Sequence, residues 1–319
     1  MQSKVEKLIQ DAISQKAMDI YFLPTMEGYI VSYSVQGQRI IQKEISGLLG
    51  QQIINYLKFK GNMSLSEKRR PQLGADYYQA PQGRVYLRYS TVGNFLDQES
   101  MVIRLLYPQQ TEQLAVFYDD QWQRLEKACL RRGLILFSGP MGSGKTTTMY
   151  YFAKKFQEQA ILCIEDPVEI QEPAFLQLQV NEKAGMTYPN LLKVALRHHP
   201  DIFIIGEIRD EQTAKVAITA ALSGHLVLST VHAKSAQGVL QRLLNLGLTR
   251  DEIEQAVQLV SYQRLIPTQT AELKILFEQI TAHDFQGSTE ISADWGERIE
   301  QCYQSGWISQ KDKEKYYNG

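Results

Sequence analysis

Cysteine is scarce in this chain: 319 residues contain only Cys129, Cys163 and Cys302, far apart and odd in number. No disulfide framework and no C-x-x-C zinc knuckle can be built from them, which points to a reducing compartment and to no zinc site. An excess of charge is also missing, since 34 Lys and Arg face 35 Asp and Glu for a net charge of −1. That balance excludes a strongly basic nucleic-acid coat, so no direct nucleic-acid binding is expected. No apolar run approaches the ~18 to 20 residues that span a bilayer. The N-terminus, Met1-Gln-Ser-Lys-Val-Glu-Lys, has no signal-peptide core. Repeats and low-complexity tracts are absent too. Together these absences predict a cytoplasmic protein that meets a membrane only peripherally.

What is present reads as globular: 44% hydrophobic, 22% charged and 10% aromatic residues, in a chain long enough for two cores. Val5, Leu8, Ile9, Ala12 and Ile13 fall on one face of an amphipathic helix. Strand-like runs follow at Ile20–Leu23, Tyr29–Tyr33 and Arg39–Gln42, then a helical stretch to about Tyr56. A polar, basic loop runs from Ser66 to Gly74, and Val85–Ser90 and Met101–Leu106 read as further strands. This predicts a small α+β domain over 1–107 and a linker over 108–118. From 119 to 246 the texture changes: Leu134–Phe137, Ile161–Ile164, Ile202–Ile205 and Leu226–Val231 are continuous apolar runs between helical stretches. Strands of that kind are buried on both faces, as in a parallel sheet covered by helices, so the class is α/β. Residues 247–319 are expected to be mostly helical. Ile253–Val260 would be one helix, and a final pair is split where Gly306 suits a C-cap and Ser309 an N-cap.

The chemistry concentrates in the second half. Gly139, Pro140, Met141, Gly142, Ser143, Gly144, Lys145 and Thr146 match G-x-x-x-x-G-K-[ST] directly after a strand, with Thr147 continuing into a helix-competent stretch that reaches about Glu158. Glycines let backbone N–H groups curl around phosphate, and the following helix N-terminus adds favourable partial charge. Lys145 would reach the β- and γ-phosphates of ATP, and Thr146 would ligate Mg²⁺. Such a cradle also needs an acid at a neighbouring strand end. Two strands end that way, at Glu165 and at Glu207. His225 and His232 flank Leu226–Val231, and Ser229, Thr230 and His232 could sense a γ-phosphate from that strand's end. In the first half, Lys68, Arg69, Arg70, Arg84, Arg88 and Arg104 supply cations, and an arginine's rigid fork matches phosphate oxygens.

The ordered set of motifs resembles a known family, the ATPases of type II secretion, type IV pili and DNA-uptake competence. Glu165-Asp166-Pro167-Val168-Glu169 is similar to that family's Asp box, and Gly206-Glu207-Ile208-Arg209-Asp210 to its Walker B segment. Gly224-His225 through Thr230-Val231-His232 is similar to its His box. Upstream, Arg88-Tyr89-Ser90-Thr91 and Val102-Ile103-Arg104 resemble arginine-bearing strands of the family's N-terminal domain. Met18-Asp19-Ile20-Tyr21 resembles its opening motif, with Tyr21 where His is usual. The run Glu67 to Gly74 and the short length are most similar to the Gram-positive competence branch.

The resemblance implies a PAS-like N-terminal domain, a RecA-like P-loop core, and a homo-hexamer with arginines entering the site from the lid domain or the next subunit. It implies a motor that powers a competence pilus or pseudopilus for DNA uptake, acting on a polytopic membrane platform protein at the inner face of the cell membrane. Lys145 and Thr146 would bind ATP and Mg²⁺, and Glu207 would hold the metal through water. Glu165 would orient the attacking water, although the two glutamates could exchange roles. His232 would couple nucleotide state to movement, and Arg88 and Arg104 would reach the phosphates. Gln72-Leu73-Gly74 departs from the usual Gln-Asp-Gly. The cysteine pairs of many relatives are missing around Arg264–Pro267, so no zinc is carried over. A retraction motor is an alternative, and so is a RecA-like helicase or translocase, which shares the P-loop sheet. A nucleotide-responsive regulator with little turnover is a third. A pI near 6.5 without an aromatic-interleaved basic stripe argues against the helicase.

Overall fold

The computed structural model describes residues 1–35, 38–81, 83–107 and 114–319. It divides into two compact units, Met1–Gln110 and Thr111–Gly319. Residues 108–113 of the expected linker lie outside the described residues. Within the remainder of that stretch, Val116 pairs with Ile275, and Phe117 N donates to Ile275 O at 3.0 Å, so this part belongs to the second unit.

The first unit contains α1 (Gln2–Ser14), β1 (Asp19–Pro24), β2 (Gly28–Val35), β3 (Gln38–Ser46), α2 (Gly47–Lys60), β4 (Gln72–Ala80), β5 (Gly83–Gly93) and β6 (Glu99–Leu106). The strands form one antiparallel sheet in the order β3-β2-β1-β6-β5-β4. The apolar stripe of α1 is buried, and it joins Ile20, Phe22, Val31, Val85, Leu87, Met101 and Ile103 in one core. Strand β4 occupies part of what reads as a basic loop. Its side chains alternate between exposed and half-buried at the sheet edge, and Leu73 is 82% exposed, so no apolar run marks it. A buried ion pair ties the preceding loop down: Lys58 Nζ lies 2.6 Å from Glu99 Oε1 and donates to Glu67 O at 2.6 Å.

The second unit runs α3 (Asp119–Cys129), β7 (Gly133–Ser138), α4 (Lys145–Lys154), β8 (Ile161–Glu165), β9 (Leu176–Gln179), α5 (Tyr188–Leu196), β10 (Ile202–Glu207), α6 (Glu211–Leu222) and β11 (Leu226–Val231). It continues with α7 (Ala236–Asn245), α8 (Arg250–Ala256), β12 (Val257–Pro267), β13 (Leu273–Ile280), α9 (Ala293–Gln304) and α10 (Gln310–Tyr316). The sheet order is β13-β12-β7-β11-β10-β8-β9, parallel except for the β12–β13 pair. Every residue of β7, β8 and β11 is buried, the double-sided burial that their continuous apolar runs require.

The mostly helical reading of 247–319 is corrected here. The helix predicted over Ile253–Val260 stops at Ala256, and Val257 opens an eleven-residue strand. Strand β12 sits between β7 and β13, so burial on both faces erases the alternation that would mark it. Its first apolar residues then continue the spacing of α8 by coincidence. After β13 the expected helical pair is present, with Gly306 at φ +69° and Ser309 capping α10 by accepting from Asp312 N.

Candidate active site

Parallel pairing sets the C-terminal ends of β7, β11, β10 and β8 along one edge. Ser138 is opposite Val231, Thr230 opposite Glu207, and Ile205 opposite Ile164. Lys145 starts α4 immediately beyond β7, so the loop motif and both strand-end acids converge by topology. That edge is where open α/β sheets bind ligands.

The loop itself is held from below. Gly139 has φ +141°, and a Cβ there would fall 2.4 Å from Gln263 O, so only glycine fits. Gly144, at φ +83°, turns the chain into α4. Gln263, fully buried on β12, donates to Ser143 O at 2.7 Å and to Thr148 Oγ1 at 3.1 Å. Lys145 Nζ donates to Gly139 O and Pro140 O, both at 2.9 Å. Burial holds its ammonium below the ordinary lysine range, opposed by the charges of Glu207 and Glu169. Ser138 Oγ and Ser143 Oγ are buried with no partner among the described residues. A phosphate-binding loop fits this arrangement: a cation and unmatched hydroxyls lie at a helix N-terminus. Thr146 Oγ1 donates to Glu169 Oε2 at 3.1 Å, so the hydroxyl expected to meet Mg²⁺ is already directed at an acid. Pro140 and Met141 cap the loop, Met141 with 92% exposure. Gly142 lies in the loop at φ +78°, and Thr147 is in the first turn of α4.

Glu165 and Glu207 stand in different surroundings. Glu165 is 2% exposed and accepts from Tyr150 OH at 2.5 Å. Burial pushes its carboxyl up to about 7, against the lowering effect of that hydrogen bond. Gly206 makes room for it, because a Cβ there would touch the Glu165 side chain at 3.0 Å. Glu207 is partly exposed, with His232 Nε2 3.8 Å from its Oε1. Arg209 bridges the two acid-bearing segments through Asp166 at 2.5 Å. The neighbouring Asp210 caps α6.

The expectation that Ser229 and Thr230 face a γ-phosphate is corrected. Their hydroxyls donate to Ile205 O at 2.5 Å and Gly206 O at 2.8 Å, strapping β11 to β10. His225 is a packing residue, edge-on to Phe203 with its Nδ1 3.1 Å from Ala220 O. Arg88 and Arg104 are opposite each other on β5 and β6 of the first unit, and Arg104 Nε lies 2.8 Å from Asp19 Oδ1. Sequence reasoning passed over Tyr150, Gln177 and Gln263. Tyr150 carries no motif signal of its own, and Gln177 and Gln263 sit on strands that pattern alone does not reveal.

The sequence matches the Type II/IV secretion system protein family over residues 1–308. It is 40% identical over 310 residues to Competence protein ComGA of Streptococcus pneumoniae, across 97% of this chain and 96% of that one. The corresponding Bacillus subtilis protein is 40% identical over 271 residues, 82% of this chain and 76% of its own. Among solved structures, the pilus retraction motor PilT with bound ADP superposes with a TM-score of 0.75 over 98% of this chain and 96% of that chain. Its 21% identity makes this a likeness of fold.

Proposed function

The chain belongs to the type II/IV secretion system family and is an ATPase, and from that premise we propose that it is the motor that assembles a competence pilus or pseudopilus. The observation that carries this reading is the convergence of Lys145, Glu165, Glu207 and His232 at one sheet edge, in a chain similar over nearly all its residues to a competence protein. Lys145 meets the charge that develops on the transferred phosphoryl oxygens. Thr146 and, through water, Glu207 would hold Mg²⁺, which would supply positive charge against the phosphate oxygens. Glu165 accepts the proton of the attacking water. His232, 3.8 Å from Glu207, transmits the state of the site to β11 and beyond.

The motor acts as a homo-hexamer in which Arg88 and Arg104 complete a neighbour's site. It works on a polytopic membrane platform protein at the inner face of the cell membrane. Among the described residues no helix is long and apolar enough to cross a membrane. The first unit is PAS-like, a reading supported by its antiparallel sheet with β1 beside β6. The competence relatives support assembly rather than retraction.

The test is made in cells. A strain whose only copy carries Lys145→Ala is expected to lose surface filaments and transformation while keeping the protein. The platform protein should still co-purify with the variant. Normal filaments in that strain would overturn the motor reading.

A further inference from the structure

The hydrogen bonds behind Glu165 have a defined direction. Gln177 Oε1 accepts from Glu172 N at 2.9 Å, and its Nε2 donates to Ile170 O at 2.7 Å. A backbone N–H can only donate and a carbonyl can only accept, so the amide has one orientation. The same Nε2 therefore donates to Tyr150 OH, at 2.8 Å. Tyr150 OH donates to Glu165 Oε1 at 2.5 Å, with the Cys163 thiol as a further hydrogen-bond partner of the hydroxyl. All three side chains are held by regular structure: Tyr150 on α4, Glu165 at the end of β8, and Gln177 on β9, which pairs with β8. The Tyr150 ring is buried and lies 5.9 Å from Phe175, so its position does not depend on the hydroxyl.

We propose that Tyr150, polarised by Gln177, is a positioning residue that fixes the Glu165 carboxyl through Oε1 for its work on the attacking water. This rests on Glu165 being the base, and it adds the device that holds and tunes that base. The arrangement links the P-loop helix to the base through one hydroxyl, because Tyr150 and Lys145 share α4. Other groups around the carboxyl are Cys163 on β8, Glu169 and Glu172 after it, and Tyr188 on α5. Burial is the main reason the Glu165 pKa is raised and the like charge of Glu169 adds to it, while hydrogen bonds from Tyr150 and Gln177 lower it. Loss of the hydroxyl therefore makes Glu165 harder to ionise.

The experiment measures ATP turnover from pH 5.5 to 9 for the full chain, wild type and Tyr150→Phe, beside Glu165→Gln. Tyr150→Phe is expected to fold, to keep KM for ATP, to lose kcat roughly tenfold, and to move the acid limb of the kcat profile to higher pH. Gln177→Leu, which removes the bond to Tyr150 and the lowering contact with the carboxyl, should shift the acid limb in the same direction, and it serves as the test if Tyr150→Phe does not fold. An unchanged profile, or a drop in kcat with no movement of the acid limb, overturns the proposal. If Glu165→Gln hydrolyses ATP at the wild-type rate, the base assignment itself fails, an outcome distinct from the failure of Tyr150.

Discussion

Glu165, the proposed base, carries a burial penalty in the fold. Its carboxyl titrates near 7 in the fold against 4.5 as the ordinary value, so the folded protein binds its proton more tightly than the unfolded chain does. The sign follows: below about 4.5 both states are protonated and the group is neutral in effect. As pH rises from there through about 7, the unfolded chain ionises first and stability falls. A difference of this size is worth roughly 3 kcal/mol once both states are charged. Glu165→Gln, which mimics the protonated acid and still accepts from Tyr150, should melt close to wild type at pH 5. It should melt several degrees higher at pH 8. Equal melting temperatures at both pH values would show that Glu165 carries no such burial penalty.

At the scale of elements, strands buried on both faces were legible because Leu134–Phe137, Ile161–Ile164, Ile202–Ile205 and Leu226–Val231 are uninterrupted apolar runs. The P-loop was legible because glycine, lysine and threonine at fixed spacing have one good physical use. Strands β4 and β9 were not legible. Each is an edge strand without an apolar run, β9 alternating Leu and Gln and β4 broken by Gly74, Asp76 and Gln79, and only pairing with β8 or β5 makes it a strand. Tyr150 and Gln177 share that fate, since their partnership exists only once β9 is seated. The buried pair Lys58–Glu99, at 0% and 1% exposure, gives an element-scale prediction. Lys58→Met leaves Glu99 charged and uncompensated and should destabilise the first unit by about 3–5 kcal/mol. Adding Glu99→Leu should recover most of that loss. Denaturant unfolding of the single and double variants measures both, and a neutral Lys58→Met would show that the pair does not hold the loop before β4.

For the whole molecule, the proposed ring makes a prediction about mixtures. Arg88 lies in the first compact unit and Lys145 in the second. If Arg88 serves a neighbouring subunit, Lys145→Ala and Arg88→Ala should each be inactive, yet mixed rings should recover activity. A Lys145→Ala subunit still lends its Arg88 to an intact P-loop next door. Recovery should rise with protein concentration and disappear when exchange is blocked by cross-linking. An arginine donated this way is worth ~10³ to 10⁵ in rate, far more than a solvated charge. Full activity of Arg88→Ala alone would remove it from the site. The central claim, that this sheet edge hydrolyses ATP with Lys145 on the phosphates and Glu165 as base, is tested most directly by phosphate release with Mg²⁺, with nucleotide binding measured in parallel. The account predicts that Lys145→Ala loses turnover by at least ~10²-fold and that Glu165→Gln binds ATP as tightly as wild type without turning it over. Wild-type phosphate release by either variant would contradict it.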